Sequence, residues 1–326
     1  MLEIRAVKHN EVDRALTVLL SDTKLDNSKQ MDKIVAFKDL SQREDYDLSR
    51  QIVACQDGKI IYSCLFVAKE GGTGFVLSSD CSPLREYAVQ ALRKLSLWAF
   101  AQGCTLLQVL LDSNDSVRRD ICLHAGFRCL TDLIYLKRSL SIKNPIVSVE
   151  SMVEWIGYSE QHYELFKKII MKTYIQSLDC PEMEDLRDME DVMKSHRAAG
   201  KFDPRWWRLL LWNDQPAGVL LMTPLSCGTI MELTYMGVCP DTRGRGFGKN
   251  ILIEALQCGR EYGASSIVLA VDRRNHFARD LYRTFQFEEL FCRVVLINSV
   301  RWPQSAESEE YSVDTMREKS DYIHRD

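Results

Sequence analysis

A self-similarity inside the chain constrains its fold more than any other feature. Laid over itself at an offset of 160 positions, with Asp112 on Asp272, the sequence also brings Leu92 onto Leu252, Gly103 onto Gly263 and Arg119 onto Arg279. Asp120 then meets Asp280, Phe127 meets Phe287, Leu130 meets Leu290 and Leu136 meets Leu296, all without a gap. The apolar strand patterns coincide in the same register. So constant an offset marks two copies of one supersecondary arrangement, and 326 residues suffice for two domains with a core each. The expected division is 1–142 for the first domain and 147–300 for the second. Ser141 to Ser151, with its Asn144-Pro145 step, reads as the linker, and 301–326 as a polar tail.

Local patterns place strands at Ile4–Val7, Gln51–Cys55, Lys59–Ala68, Phe75–Leu77 and Leu106–Leu111, with helices over Val12–Leu20 and Tyr87–Ala101. In the second copy a helix is expected over Tyr163–Ile175, an acidic helix around Met183, Leu186, Met189 and Met193, and a hairpin joining Trp206–Trp212 to Ala217–Met222. The residues Lys24–Arg50 show only a polar stretch. Each copy therefore reads as an α/β (α+β) domain.

The most informative stretch is Met231–Lys249, M-E-L-T-Y-M-G-V-C-P-D-T-R-G-R-G-F-G-K. A β-prone run ends at Pro240, a Gly-rich turn follows, and Ile251, Leu252, Ala255 and Leu256 recur at helical spacing. The glycines thus open a helix, where unpaired backbone N–H groups can hold a diphosphate. Arg243, Arg245 and Lys249 add positive charge. Taken alone, these residues also suit a plain tight turn. Their context is more specific: the strand, turn and helix resemble motif A of the GNAT superfamily, the acyl-CoA-dependent N-acyltransferases, whose Q/R-x-x-G-x-G/A turn holds the pyrophosphate of coenzyme A. After the strand Ser266–Val271, N-H-F-A-R-D-L-Y-R-T-F-Q-F (Asn275–Phe287) resembles the family's N-x-x-A-x-x-L-Y-x-x-x-G-F. It departs from it in having Gln286 where the family has glycine. The tandem layout is similar to that of mycothiol synthase.

The resemblance implies that the strands of each copy form a mixed, mostly antiparallel sheet flanked by helices. It also implies acetyl-CoA as co-substrate, bound by Met236, Val238, Arg243, Gly244, Arg245, Gly246, Phe247, Gly248, Lys249 and Asn275. Attack of an amine on a thioester needs a base, a donor to the developing oxyanion and an acid for the departing thiolate. Glu232, on the central strand among apolar neighbours, is the candidate base, although the sequence does not fix which face it takes. Backbone N–H groups of Met236 and Val238 would serve the oxyanion if the strand bulges away from its neighbour. Tyr282, seven residues after Asn275 on the same helical face, is the candidate acid, its alternative being a packed core aromatic. Tyr174 and Asp179 would border the acceptor pocket. The expected activity is transfer of an acetyl group to a primary amine of a small molecule or peptide by direct attack in a ternary complex; the alternative is a non-catalytic acyl-CoA sensor or assembly module. An ATP site is disfavoured because the turn lacks the G-K-[ST] ending of a P-loop.

The first copy has lost this equipment. Opposite Arg243, Gly246 and Gly248 stand Pro83, Glu86 and Ala88, opposite Tyr282 stands Cys122, and, if the register extends that far back, Gly72 stands opposite Glu232. It is expected not to bind coenzyme A in the usual way.

Composition excludes other classes. A net charge of −4 gives no footprint for nucleic acid. The 11 cysteines are scattered without a C-x-x-C pair, as in a reducing compartment, and the 6 histidines show no zinc spacing, so no metal is expected. No apolar run approaches the roughly 18 residues of a membrane span. A cytoplasmic enzyme is expected, with its oligomeric state open.

Overall fold

The computed structural model describes residues 2–22, 25–80, 85–140 and 153–302; the expected linker and nearly all of the expected tail lie outside them. Two compact units emerge, one of Met1–Leu130 with Val295–Asp326 and one of Thr131–Val294. The sequence repeat and the spatial unit therefore have different boundaries: each repeat ends in a strand most of which, or part of which, is built into the other unit.

In the first unit, β1 (Leu2–Ala6), β2 (Gln51–Gln56), β3 (Lys59–Lys69), β4 (Thr73–Ser78) and β5 (Leu106–Asp112) lie side by side in chain order. Beyond β5 comes the C-terminal end of β12 (Glu288–Ser299), where Val300 N donates to Thr105 O at 3.1 Å. The β2–β3 turn carries Asp57 at φ +50° and Gly58 at φ +76°, the twist-matched hairpin geometry that Asp-Gly favours. The helices are α1 (Val12–Leu20), α2 (Asn27–Arg43), α3 (Arg85–Ala101) and α4 (Ser116–His124). Helix α2 has no strong apolar stripe, with Ile34 and Ser41 as its buried residues, which is why periodicity misses it.

In the second unit the strand order is β6 (Arg128–Ser139), β11 (Ser266–Asp272), β10 (Ile230–Val238), β9 (Gln215–Pro224), β8 (Trp207–Trp212) and β7 (Glu154–Gly157). Helices α5 (Tyr163–Tyr174) and α6 (Met189–Arg197) cover one face, where Phe166, Ile170 and Met193 pack on Trp207, Val219 and Leu221. Helices α7 (Phe247–Tyr262) and α8 (His276–Thr284) serve the other, where Ile251, Leu252 and Tyr282 pack with Leu220, Met231 and Ile267. The expected acidic helix is shorter than its methionine spacing suggests: Pro181–Met183 forms a 3-10 turn and the α-helix starts only at Met189. Trp206 and Trp207 are core residues, 6% and 0% exposed.

Each sheet is antiparallel except at one pair. In the first unit Thr73, Gly74 and Phe75 pair in parallel with Leu106, Leu107 and Gln108. In the second, Ile230, Met231 and Glu232 pair with Ser266, Ile267 and Val268. Because Gln108 corresponds to Val268, Phe75 stands opposite Glu232, not Gly72: the constant offset fails before the turn, and the first repeat has an apolar ring at the position of the carboxylate.

Candidate active site

Parallel pairing of β10 with β11 stops at Glu232. Just beyond, the pairing of β10 with β9 shifts between Leu233 and Tyr235, leaving Thr234 as an extra residue. Such a bulge bends its strand, and from there to Val238 β10 keeps β9 as its partner. Cys239 N donates to Ala217 O at 2.9 Å, toward β9. Alternation along a strand then turns the N–H groups of Met236 and Val238 the other way, into the gap. Gly237 is required by the crossing of α5, since a Cβ there would lie 2.6 Å from Thr173 Oγ1.

At the end of β10 the chain turns through Gly244 (φ +77°) and Gly246 (φ +87°), conformations that side-chain-bearing residues adopt only at a cost. A Cβ on Gly248 would press to 3.2 Å on Leu281 of α8. Lys249 N donates to Gly246 O at 2.9 Å. Among the described residues, no backbone carbonyl accepts from the N–H groups of Gly244, Arg245, Gly246, Phe247 or Gly248, and together these form a concavity of donors at the leading end of α7. Phe247 is buried against Trp212, ring centres 5.7 Å apart, so only its backbone faces the cradle. The Arg245 guanidinium lies 4.7 Å over the other partner of that stack, Trp212.

Arg243 departs from its expected place as a ligand. Its guanidinium donates to four carbonyls, Val238 at 3.2 Å, Gln176 at 3.0 Å, Thr173 at 3.0 Å and Ile175 at 2.9 Å. The charge is turned onto the C-terminus of α5, where unpaired carbonyls and the helix dipole favour a cation. Arg243 therefore clamps the turn to α5 rather than reaching for phosphate. Arg243→Met is expected to lower the stability of the second unit by about 2–3 kcal/mol, the worth of charge-assisted bonds lost together, as read from urea unfolding.

The face of Glu232 is now fixed. Its neighbours Met231 and Leu233 are buried under α7, so Glu232 points to the face bearing α5 and α6. It touches solvent, yet the surrounding protein raises its pKa above the usual carboxylate range through desolvation. That combination is what the wall of a cleft produces. Among the described residues its carboxylate has neither hydrogen-bond nor ion-pair partner. Asp179 shows the same pairing of exposure and raised pKa, burial being the main cause; it accepts from Asp272 N at 3.0 Å and from the Asn275 side chain. Asp272 is fully buried. Burial alone would raise its pKa, but donors outweigh it and hold the carboxyl below the usual range: Arg274, Thr131 Oγ1 at 2.7 Å and Cys180 N at 3.1 Å. These bonds tie the loop after α5, with Asp179, to the end of β11.

Asn275 caps α8, accepting from Ala278 N at 3.2 Å. Tyr282 is buried, its hydroxyl pKa pushed up first by burial and then by the charge of Asp179, so it remains a neutral phenol. It packs in the core and lies within electrostatic reach of Asp179. Gln286 adopts φ +61°, the conformation that the family's glycine would take freely. The turn survives at a cost of about 1 kcal/mol.

Sequence reasoning missed a group on the same face. The Tyr235 hydroxyl is 2.7 Å from Thr173 Oγ1, and its ring contacts Tyr174 and His196. Burial, with Arg187 adding to it, depresses the His196 pKa to about 4, so the ring is neutral at working pH. Single polar residues on an amphipathic helix give no sequence signal of this kind. A cavity of about 480 Å³ opens elsewhere, between α5 and the β8–β9 turn, lined by Lys168, Lys172, Trp212 and Asp241. It shares Trp212 with the cradle, but Glu232, Asp179, Tyr235 and Tyr282 do not line it.

The first unit shows how the equivalent slot is shut. Opposite Asn275 and Ala278 stand Asp115 and Arg118, an ion pair, and Arg118 Nη1 reaches across to donate to Ser78 O on β4 at 3.2 Å. A guanidinium thus spans the split between β4 and β5 that Ala278 leaves open in the second unit.

A splayed parallel pair, free amides at the following helix and a partnerless carboxylate beside the split fit the needs of an acyl-CoA-dependent N-acyltransferase in general terms. Residues 168–287, just over a third of the chain, match the acetyltransferase (GNAT) family. The chain is similar in fold to a GCN5-related N-acetyltransferase from Sphaerobacter thermophilus, with 14% identity over 93% of this chain and 97% of that one at TM-score 0.62. It is also similar to a GCN5-related glucosamine N-acetyltransferase region of a fungal multi-domain GH3 β-N-acetylglucosaminidase, with 12% identity over 91% of this chain and 38% of that one at TM-score 0.55. A functionally unknown conserved protein from Staphylococcus epidermidis has 14% identity over 70% of this chain and 84% of that one at TM-score 0.50. No curated protein matches the chain. Among the described residues no helix is long and apolar enough to cross a membrane.

Proposed function

We propose that the second unit transfers an acetyl group from acetyl-CoA to a primary amine by direct attack in a ternary complex, and that the first unit binds no coenzyme A. The observation that carries this reading is Glu232, a cleft carboxylate with no protein partner where β10 leaves β11. A carboxylate so placed is costly unless something cationic or proton-bearing comes to it.

The amides of Gly244 to Gly248 suit the diphosphate of the coenzyme, with Arg245 and Lys249 at the rim. Glu232 takes a proton from the ammonium of the acceptor, directly or through water. The neutral nitrogen attacks the thioester carbonyl, and the Met236 and Val238 N–H groups stabilise the resulting oxyanion. When the C–S bond breaks, Tyr282 gives its proton to the departing thiolate, and the surplus proton on the attacking nitrogen, passed through water, returns the tyrosinate to the phenol, leaving an acetamide and a thiol. Asn275 serves as cap and, by family resemblance, as a ligand to the pantetheine arm.

The test is thiol release from acetyl-CoA against glucosamine, spermidine, benzylamine and a peptide with a free amino terminus. Acceptor-dependent thiol with any of them supports the transferase; tight coenzyme binding with none favours a sensor. Tyr282→Phe is expected to lower turnover by roughly 10²-fold with little change in coenzyme affinity, and unchanged turnover would retire its role as acid.

A further inference from the structure

The face that carries Glu232 also receives a residue of the first repeat. Glu232 lies beside Val268 in the β10–β11 pairing, and Ala270 lies beside Tyr135 in the β11–β6 pairing. Paired residues share a face, as do residues two apart on a strand. Glu232, Val268, Ala270 and Tyr135 therefore stand on one side of the sheet, opposite Ile134, Leu136, Ile267 and Leu269, which are buried under α7. Val268 and Ala270 are short, so between the two polar side chains the floor is low.

The Tyr135 ring stacks on Phe291 with centres 4.6 Å apart and planes at 27°, which fixes its direction. Its hydroxyl, like the Glu232 carboxylate, has no hydrogen-bond partner among the described residues. The two groups sense each other all the same: burial first, then the charge of Glu232, raises the Tyr135 pKa. A phenol and a carboxylate face one low floor, close enough to interact, with neither satisfied by protein. Both are half-buried and open to the cleft, so water or a bound ligand completes their hydrogen bonds.

We propose that Tyr135 is an acceptor-contacting residue of the second unit, its hydroxyl bonding to the bound acceptor whose nitrogen is presented to Glu232. The first repeat, which carries Glu86 and Ala88 where the second has Gly246 and Gly248, thereby contributes to the site of the second. Because the hydroxyl stays protonated it can donate, so it fits an acceptor with a hydroxyl or carbonyl oxygen near the reacting nitrogen. This inference rests on the reading of Glu232 as the base.

Tyr135→Phe keeps the stack on Phe291 and removes only the hydroxyl. With the panel amines that wild type acetylates, the variant is expected to raise the acceptor KM by about five- to tenfold, the factor that one neutral hydrogen bond supplies. The KM for acetyl-CoA and the Tm stay within error. Tyr135→Phe with an unchanged acceptor KM, alongside an inactive Glu232→Gln, would overturn this inference and leave the base reading intact. Full activity of Glu232→Gln would remove both. A parallel rise in the KM of acetyl-CoA would make Tyr135 a prop of the slot and overturn the proposal, as would a wild type inert to every panel amine.

Discussion

Glu232→Gln is expected to slow turnover by about 10²- to 10⁴-fold, the span that general base catalysis contributes, while making the protein more stable at neutral pH. The first half follows from position: the carboxylate is where β10 and β11 part, on the face of α5 and α6, with no protein group to satisfy it. The second half follows from linkage. The folded pKa of Glu232 is raised by desolvation, so the protonated form is favoured on folding. Above the unfolded value of about 4.3 the unfolded chain gives up this proton more readily, and the folded state loses stability until its own, higher pKa is passed. At pH 7 wild type bears that cost, and glutamine does not. Wild-type kcat/KM should accordingly carry an acid limb above the ordinary glutamate range, rising as Glu232 deprotonates, and the variant should lack it. Rate against pH and thermal melting check both halves; an active variant with an unmoved acid limb would contradict the assignment.

Gly246→Glu, which copies Glu86 of the first repeat, is expected to weaken coenzyme A binding by about 10³-fold or more while the fold persists. Two costs combine. At φ +87° any Cβ adds strain of about 1–2 kcal/mol, although the space itself is open, with nothing within 4 Å of the built Cβ. The larger cost is charge: a carboxylate about 4 Å from a phosphate is disfavoured by about 4 kcal/mol at the dielectric of a protein surface. Gly246→Ala has the strain without the charge and should lose only about tenfold. Calorimetric titration with coenzyme A, paired with a melting curve, separates binding from folding. Micromolar binding by Gly246→Glu would undo the explanation of the first unit as a closed copy.

How much of this was legible in the chain depends on how local each feature is. The cradle was readable because positive-φ glycines and a helix start are written in consecutive residues. Gly244 and Gly246 stand at the helix start that the sequence marks, and among the described residues no backbone acceptor claims the following amides. The fold was readable because strand and helix periods repeat at a constant offset. What failed was non-local. The side chain of Arg243 is spent on the end of α5, which is distant in sequence. The register of the repeat slipped before the turn, so that Phe75, not Gly72, faces the position of Glu232. Helix α2 carries too weak a stripe to show. Above all, β6 builds into the second unit, and a strand's sequence pattern does not name the sheet it will join; Tyr135 and Thr131 therefore drew no attention until the β6–β11 pairing put Tyr135 on the face of Glu232 and a hydrogen bond joined Thr131 to Asp272.

The central claim is that one set of helix-leading amides per chain holds the diphosphate of the thioester carrier. Backbone amide resonances followed during titration with coenzyme A test it most directly. The account predicts saturable shifts at Gly244, Gly246, Phe247 and Gly248 with one equivalent bound, and silence at Glu86 and Ala88. Coenzyme A that binds while those second-unit amides stay still, or that shifts the first-unit helix to the same degree, would contradict it.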